Sequence, residues 1–185
     1  MDDASRSDIG IALQVNAGST ATIINNAICA TGSDQPFSFT PEFFATALAA
    51  MIADNDLICG TGLGFGLSGT AQTDVTLVSI GEQGAFTLVS TLAVNAGATL
   101  TIPQGITLNG QFNTLRVDGA LNLNRATVRD TRLEYRNGST GSVRNTIFTS
   151  TFLFQSISIA NATVSLQGNR FEGLPTVLSL SGTAA

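Results

Sequence analysis

Between about residue 75 and residue 183 the apolar residues recur with a period close to 21, and this constrains the fold more than any other feature of the chain. They come as short alternating pairs: Leu100/Ile102, Ile106/Leu108, Leu115/Val117, Leu121/Leu123, Phe152/Phe154, Ile157/Ile159, Val164/Leu166 and Leu178/Leu180. Each pair suits a strand and is too short for a helix, and Gly, Asn, Asp or Ser separates it from the next. The pairs align in columns. Leu100, Leu121, Val143 and Val164 are 21, 22 and 21 residues apart. Leu115, Tyr135, Ile157 and Leu178 are 20, 22 and 21 apart, and Ile106, Val128, Phe148 and Phe171 follow at 22, 20 and 23. Three columns with one shared period predict three short strands per turn, each turn stacked on the last. That is a mostly-β fold, a parallel β-helix or β-solenoid. A lone coil cannot bury its inward side chains, so coils must stack to build a continuous core. With the usual spacing between strands, about four to five coils make a rod roughly 20 Å long. The competing architecture is an antiparallel sandwich with closely spaced turns.

Composition excludes several classes of function. With 43% hydrophobic and 11% charged residues, the chain is too apolar for intrinsic disorder. No uninterrupted apolar run is long enough for a membrane span, so no membrane insertion is expected. There is no His, which removes a His–zinc site, a Ser-His-Asp triad and a Cys-His dyad together. The net charge of −5 argues against nucleic acid, whose phosphates need a basic face.

The charge is uneven. Residues 1–90 hold nine carboxylates against Arg6, a net of −8, whereas residues 91–185 hold seven Arg against Asp118, Asp130, Glu134 and Glu172, a net of +3. Opposite potentials at two ends would steer head-to-tail association, although local solvation is the simpler account. Every cation is Arg, and Arg116, Arg125, Arg129, Arg132, Arg136 and Arg144 cluster as a candidate patch for an anionic glycan or the acidic face of a second subunit.

Residues 1–74 read as a cap region and residues 75–185 as the solenoid, together forming one continuous unit. Strands are expected over 9–15 and 20–24. A helix is expected over about 41–53: Thr40 suits the N-cap, Pro41 the first turn and Glu42 the positive helix end. Phe43, Phe44, Ala47, Leu48, Met51 and Ile52 give it one apolar face. It either caps the open end of the solenoid core or binds a partner. Gly60, Gly62 and Gly64 have the wrong spacing for a dinucleotide loop, so a connection or a closely packed edge strand is expected there. Cys29 and Cys59 are either a disulfide in an oxidising compartment or two buried thiols.

The run Val94-Asn-Ala-Gly-Ala-Thr-Leu-Thr-Ile-Pro-Gln-Gly-Ile-Thr-Leu-Asn-Gly110, the segment Leu115-Arg-Val-Asp-Gly-Ala-Leu-Asn-Leu-Asn124 and the corner Gly168-Asn-Arg-Phe-Glu-Gly173 resemble coils of right-handed parallel β-helix proteins. Such coils occur in pectin-lyase-like enzymes, phage tailspikes and bacterial surface adhesins. The resemblance spans about residues 75–183. It implies a fold and two functional classes, one adhesive or structural and one that cleaves polysaccharides through calcium-holding carboxylates or paired acids.

The second class can be tested on the residues. Asp130 and Glu172 lie 42 residues apart, which is two coils, or about 10 Å along the rod. That is near the upper limit for an inverting glycosidase pair, with Arg129 and Arg170 beside them. The plainer account is two corner ion pairs on a solvated surface. Asp54, Asn55 and Asp56 supply too few oxygens for calcium, so neither a metal nor a cofactor is expected. The sequence therefore favours a non-enzymatic structural or adhesive protein, extracellular or on the cell surface. Such a protein would self-assemble head to tail in a fibre, sheath or tail-like assembly, with a glycan as a further partner. The alternative is a carbohydrate-active β-helix, a glycosidase or a depolymerase module.

Overall fold

The computed structural model describes residues 11–15, 27–29, 35–41, 56–59, 65–79, 84–151, 155–173 and 176–182. The N-terminal part supplies β1 (Ile11–Val15), β2 (Ala27–Cys29), β3 (Gln35–Phe39), β4 (Asp56–Cys59) and β5 (Phe65–Ala71). Five coils follow. The first is β6 (Val75–Thr76) and β7 (Ala85–Val94). The second is β8 (Thr99–Ile102), β9 (Thr107–Asn109) and β10 (Thr114–Val117). The third is β11 (Ala120–Asn124), β12 (Thr127–Arg129) and β13 (Arg132–Tyr135). The fourth is β14 (Thr140–Arg144), β15 (Ile147–Thr149) and β16 (Gln155–Ala160), and the fifth is β17 (Thr163–Gln167), β18 (Arg170–Glu172) and β19 (Thr176–Ser181).

Every strand pair is parallel, and strands pair with their counterparts one coil away. One wall is the ladder β6-β8-β11-β14-β17. The other two walls, β9-β12-β15-β18 and β10-β13-β16-β19, meet at β7, whose first residues pair with β9 and whose last pair with β10. The architecture is the parallel β-solenoid that the period predicts. Strands β1, β3 and β5 pair in series and join the same sheet through β7, so these three continue the stack, while β2 and β4 pair with each other in a separate sheet. The glycine-rich stretch leads into β5, and its residues 65–67 are buried. Of the expected helix, everything after Pro41 lies outside the described residues, as does the strand expected over 20–24.

Alternation explains the core. Along β8, β10 and β11 every second residue is buried, and these inward residues stack from coil to coil. The stacks differ in register from the columns read off the sequence. Leu100 and Leu121 continue into Gly141 and then Val164, whereas Val143 continues the stack of Ile102 and Leu123. Leu115 continues into Leu133, Ile157 and Leu178, while Tyr135 stacks between Val117 and Ile159. Phe148, Val128 and Phe171 stack on Leu108 in place of Ile106.

The exchange at Gly141 has a steric cause. A Cβ there would lie 2.7 Å from Cε1 of Tyr135 and 2.5 Å from the backbone oxygen of Leu121. Glycine is what lets the Tyr135 ring into the core, where its side chain is fully buried.

Corners are fixed by left-handed residues and side-chain clamps. Arg125, Asn145 and Gly168 have φ of 53°, 50° and 66°, one above another at the corner that follows the first wall. Asn occupies this region more readily than most residues, and Gly does so without strain. One residue on, the Asn169 side chain accepts from the Thr146 N–H at 3.0 Å and donates to the Val143 carbonyl at 2.8 Å, tying the fifth coil to the fourth. Phe171 then stacks on Phe148, with ring centroids 4.9 Å apart. This is the physical content of the Gly-Asn-x-Phe corner.

Candidate functional site

The six clustered arginines divide by partner. Arg116 Nε lies 3.0 Å from one oxygen of Asp118, and Arg136 Nη1 lies 3.9 Å from the other. Arg129 Nε lies 3.4 Å from Asp130. Arg125 donates to the neutral Gln104 side chain at 3.3 Å. Among the described residues, Arg125, Arg132 and Arg144 have no carboxylate within ion-pair distance. Arg125 and Arg144 are brought together: the backbone N–H of Arg125 donates to the Arg144 carbonyl at 2.9 Å. Both line one open groove of about 560 Å³ on the first wall.

Most of the remaining lining comes from outward positions of β11, β14 and β17, with the corner residue Asn145 and the inward Leu123 beside them. Asn122 and Ser142 are register partners, and Asn124, Arg144 and Gln167 form the next row. The amides of Asn122, Asn124, Asn145 and Gln167 and the Ser142 hydroxyl therefore line the same groove as the two arginines. Sequence reasoning found the arginines and missed these amides. Their signal is present for Asn122, Asn124 and Gln167, each of which sits one residue from an inward column at the coil spacing.

Asp130 and Glu172 hold different positions. Asp130 has φ of 46° and is 6% exposed. One carboxylate oxygen accepts from Ser150 Oγ at 3.1 Å, Thr151 N at 2.7 Å and Thr151 Oγ1 at 3.0 Å, and the other faces Arg129. The carboxylate thus closes the corner of the next coil. Glu172 pairs with Arg170 on the last coil. The register Arg129–Thr149–Glu172 places Glu172 two coils beyond the neighbour of Asp130.

The fifth coil carries the other notable surface. In the coils beneath it, Leu115, Leu133, Ile157, Val117 and Tyr135 are buried. Leu178 and Leu180, which extend the same two stacks, are 39% and 69% exposed. Val164, Leu166 and Phe171 are only partly buried. Among the described residues, β17, β18 and β19 have no strand on their far side.

Cys29 and Cys59 are register partners on β2 and β4. No cluster of three or more metal-binding side chains occurs among the described residues, and no described helix is long and apolar enough to cross a membrane. No family model, curated protein or solved structure matches the chain. Its own surfaces are therefore the guide to what it does.

Proposed function

We propose that the protein is a structural or adhesive subunit, extracellular or on a cell surface, that associates head to tail by stacking a second copy on its fifth coil. The observation that carries this reading is the exposed end of the core. Leu178 and Leu180 continue buried stacks into solvent, and among the described residues three strand edges have no strand paired on their far side. Such edges pair with other chains unless they are protected. Covering Leu180 alone is worth about 1–2 kcal/mol. The net of −8 over residues 1–90 against +3 over the remainder favours opposite ends meeting over like ends. The parallel register of Cys29 and Cys59 suits a disulfide and hence an oxidising compartment.

Sedimentation velocity across a concentration series, with electron microscopy of the same samples, tests the reading. Wild type is expected to form rods longer than one subunit. The double variant Leu178→Asp, Leu180→Asp is expected to stay monomeric with a cooperative melt. A wild-type protein that remains monomeric and filament-free at high concentration sinks the proposal, as does a double variant that assembles like wild type.

A further inference from the structure

We infer that the groove on the first wall is a binding site for an acidic polysaccharide, a chain of hydroxyl-rich sugars bearing carboxylate or sulfate groups. The inference does not depend on the stacking of subunits, because the groove lies on the side of the rod and the proposed contact lies at its end.

Charge gives the first argument. In a protein of net charge −5, Arg125 and Arg144 sit next to each other, solvent-exposed, with no carboxylate partner among the described residues. Three of the other clustered arginines, Arg116, Arg129 and Arg136, each have one. Two uncompensated guanidinium groups on one groove leave it positively charged, and an anion bound there offsets this charge while accepting forked hydrogen bonds.

The lining gives the second argument. Around the arginines stand four side-chain amides and one hydroxyl, which both donate and accept, as sugar hydroxyls require. A protein partner would need apolar or aromatic anchors, and the only apolar residue in the lining, Leu123, is itself 1% exposed. A nucleic acid strand would need aromatic faces for its bases, and the lining contains none. The rows Asn122–Ser142 and Asn124–Arg144–Gln167 repeat along the rod at the interstrand spacing of about 4.8 Å. A regular row of donors suits a polymer of repeating units.

Titration calorimetry with oligogalacturonate, its fully methyl-esterified form and poly-glutamate provides the test, on wild type, Arg144→Gln, Arg125→Asn and the distant control Arg170→Gln. Asn is chosen at 125 because the backbone there has φ of 53°. Wild type and Arg170→Gln are expected to bind oligogalacturonate alike. Each groove variant should bind at least about tenfold more weakly, the loss of one charge-assisted contact. Binding should fall with added salt, and the ester should bind weakly or not at all. The inference is overturned if folded wild type fails to bind oligogalacturonate, if the ester binds equally well, if poly-glutamate binds as tightly, or if both groove variants match wild type.

Discussion

Replacing Tyr135 with Phe should stabilise the protein. The ring is fully buried, and its hydroxyl is one of two buried side-chain atoms that lack a hydrogen-bond partner among the described residues. Burying a hydroxyl without a partner costs about 1–3 kcal/mol. Phe keeps the ring in place over Gly141 and leaves a void of only one oxygen, worth a few tenths of a kcal/mol on a cavity scale of about 24 cal/mol per Å³. The net gain is therefore about 1–2 kcal/mol, or roughly 2–8 °C in Tm for a chain of this size. Alkaline pH should enlarge the difference. Burial pushes the Tyr135 phenol well above the usual tyrosine range. The folded state thus holds its proton where the unfolded chain releases it, near pH 10. Stability tied to this group is complete below about pH 10 and is lost as pH rises beyond it, by about 1.4 kcal/mol per pH unit. The Phe variant lacks that slope. Denaturant melts of both proteins at neutral and alkaline pH measure the difference. Tyr135 is the sole tyrosine in a chain with no tryptophan, so tyrosinate absorbance reports this one site. A Phe variant less stable than wild type by 1 kcal/mol or more, or a tyrosinate signal that appears near pH 10 in the folded protein, would refute the reasoning.

Two further outcomes are expected. Asp130→Asn should lose about 1–3 kcal/mol, because one oxygen that accepts from Ser150 and Thr151 or faces Arg129 becomes a donor, while Asn still tolerates the left-handed backbone. A denaturant midpoint unchanged from wild type would show that the corner does not depend on the carboxylate. Cys29 and Cys59, paired in register, should form a disulfide that closes a loop of about 30 residues and adds about 3–4 kcal/mol. Thiol titration of unreduced, denatured protein should detect no free thiol, and two free thiols would refute this.

The architecture was legible because stacked coils repeat one hydrophobic pattern, and the average coil length survives local variation. Which residue sits above which was harder to read. In a strand both i and i+2 face inward, so Leu121 has two inward positions one coil on, Gly141 and Val143, and the apolar one is out of register. Individual coil lengths differ, since Leu121 to Gly141 is 20 residues and Gly141 to Val164 is 23. Gly141 gives no hydropathy signal, yet it holds a core position because Tyr135 fills the space beside it. The same limit applies to the groove. A cluster of arginines is visible in the sequence, but which of them meets a carboxylate depends on the corner where each lies. Asp118 is shared by Arg116 and Arg136, while Arg125 and Arg144 are left facing neutral amides.

The coil-to-coil ladders also set how such a rod would bear load. Its five coils are held along the axis by backbone hydrogen bonds between parallel strands, and the least buried coil is the last. Tension along the axis would therefore peel coils singly from that end instead of breaking the whole body at once. Each peeled coil of about 21 residues would release about 70 Å of slack. Anchored at both ends, the molecule would yield by lengthening stepwise, a spring that gives way one winding at a time.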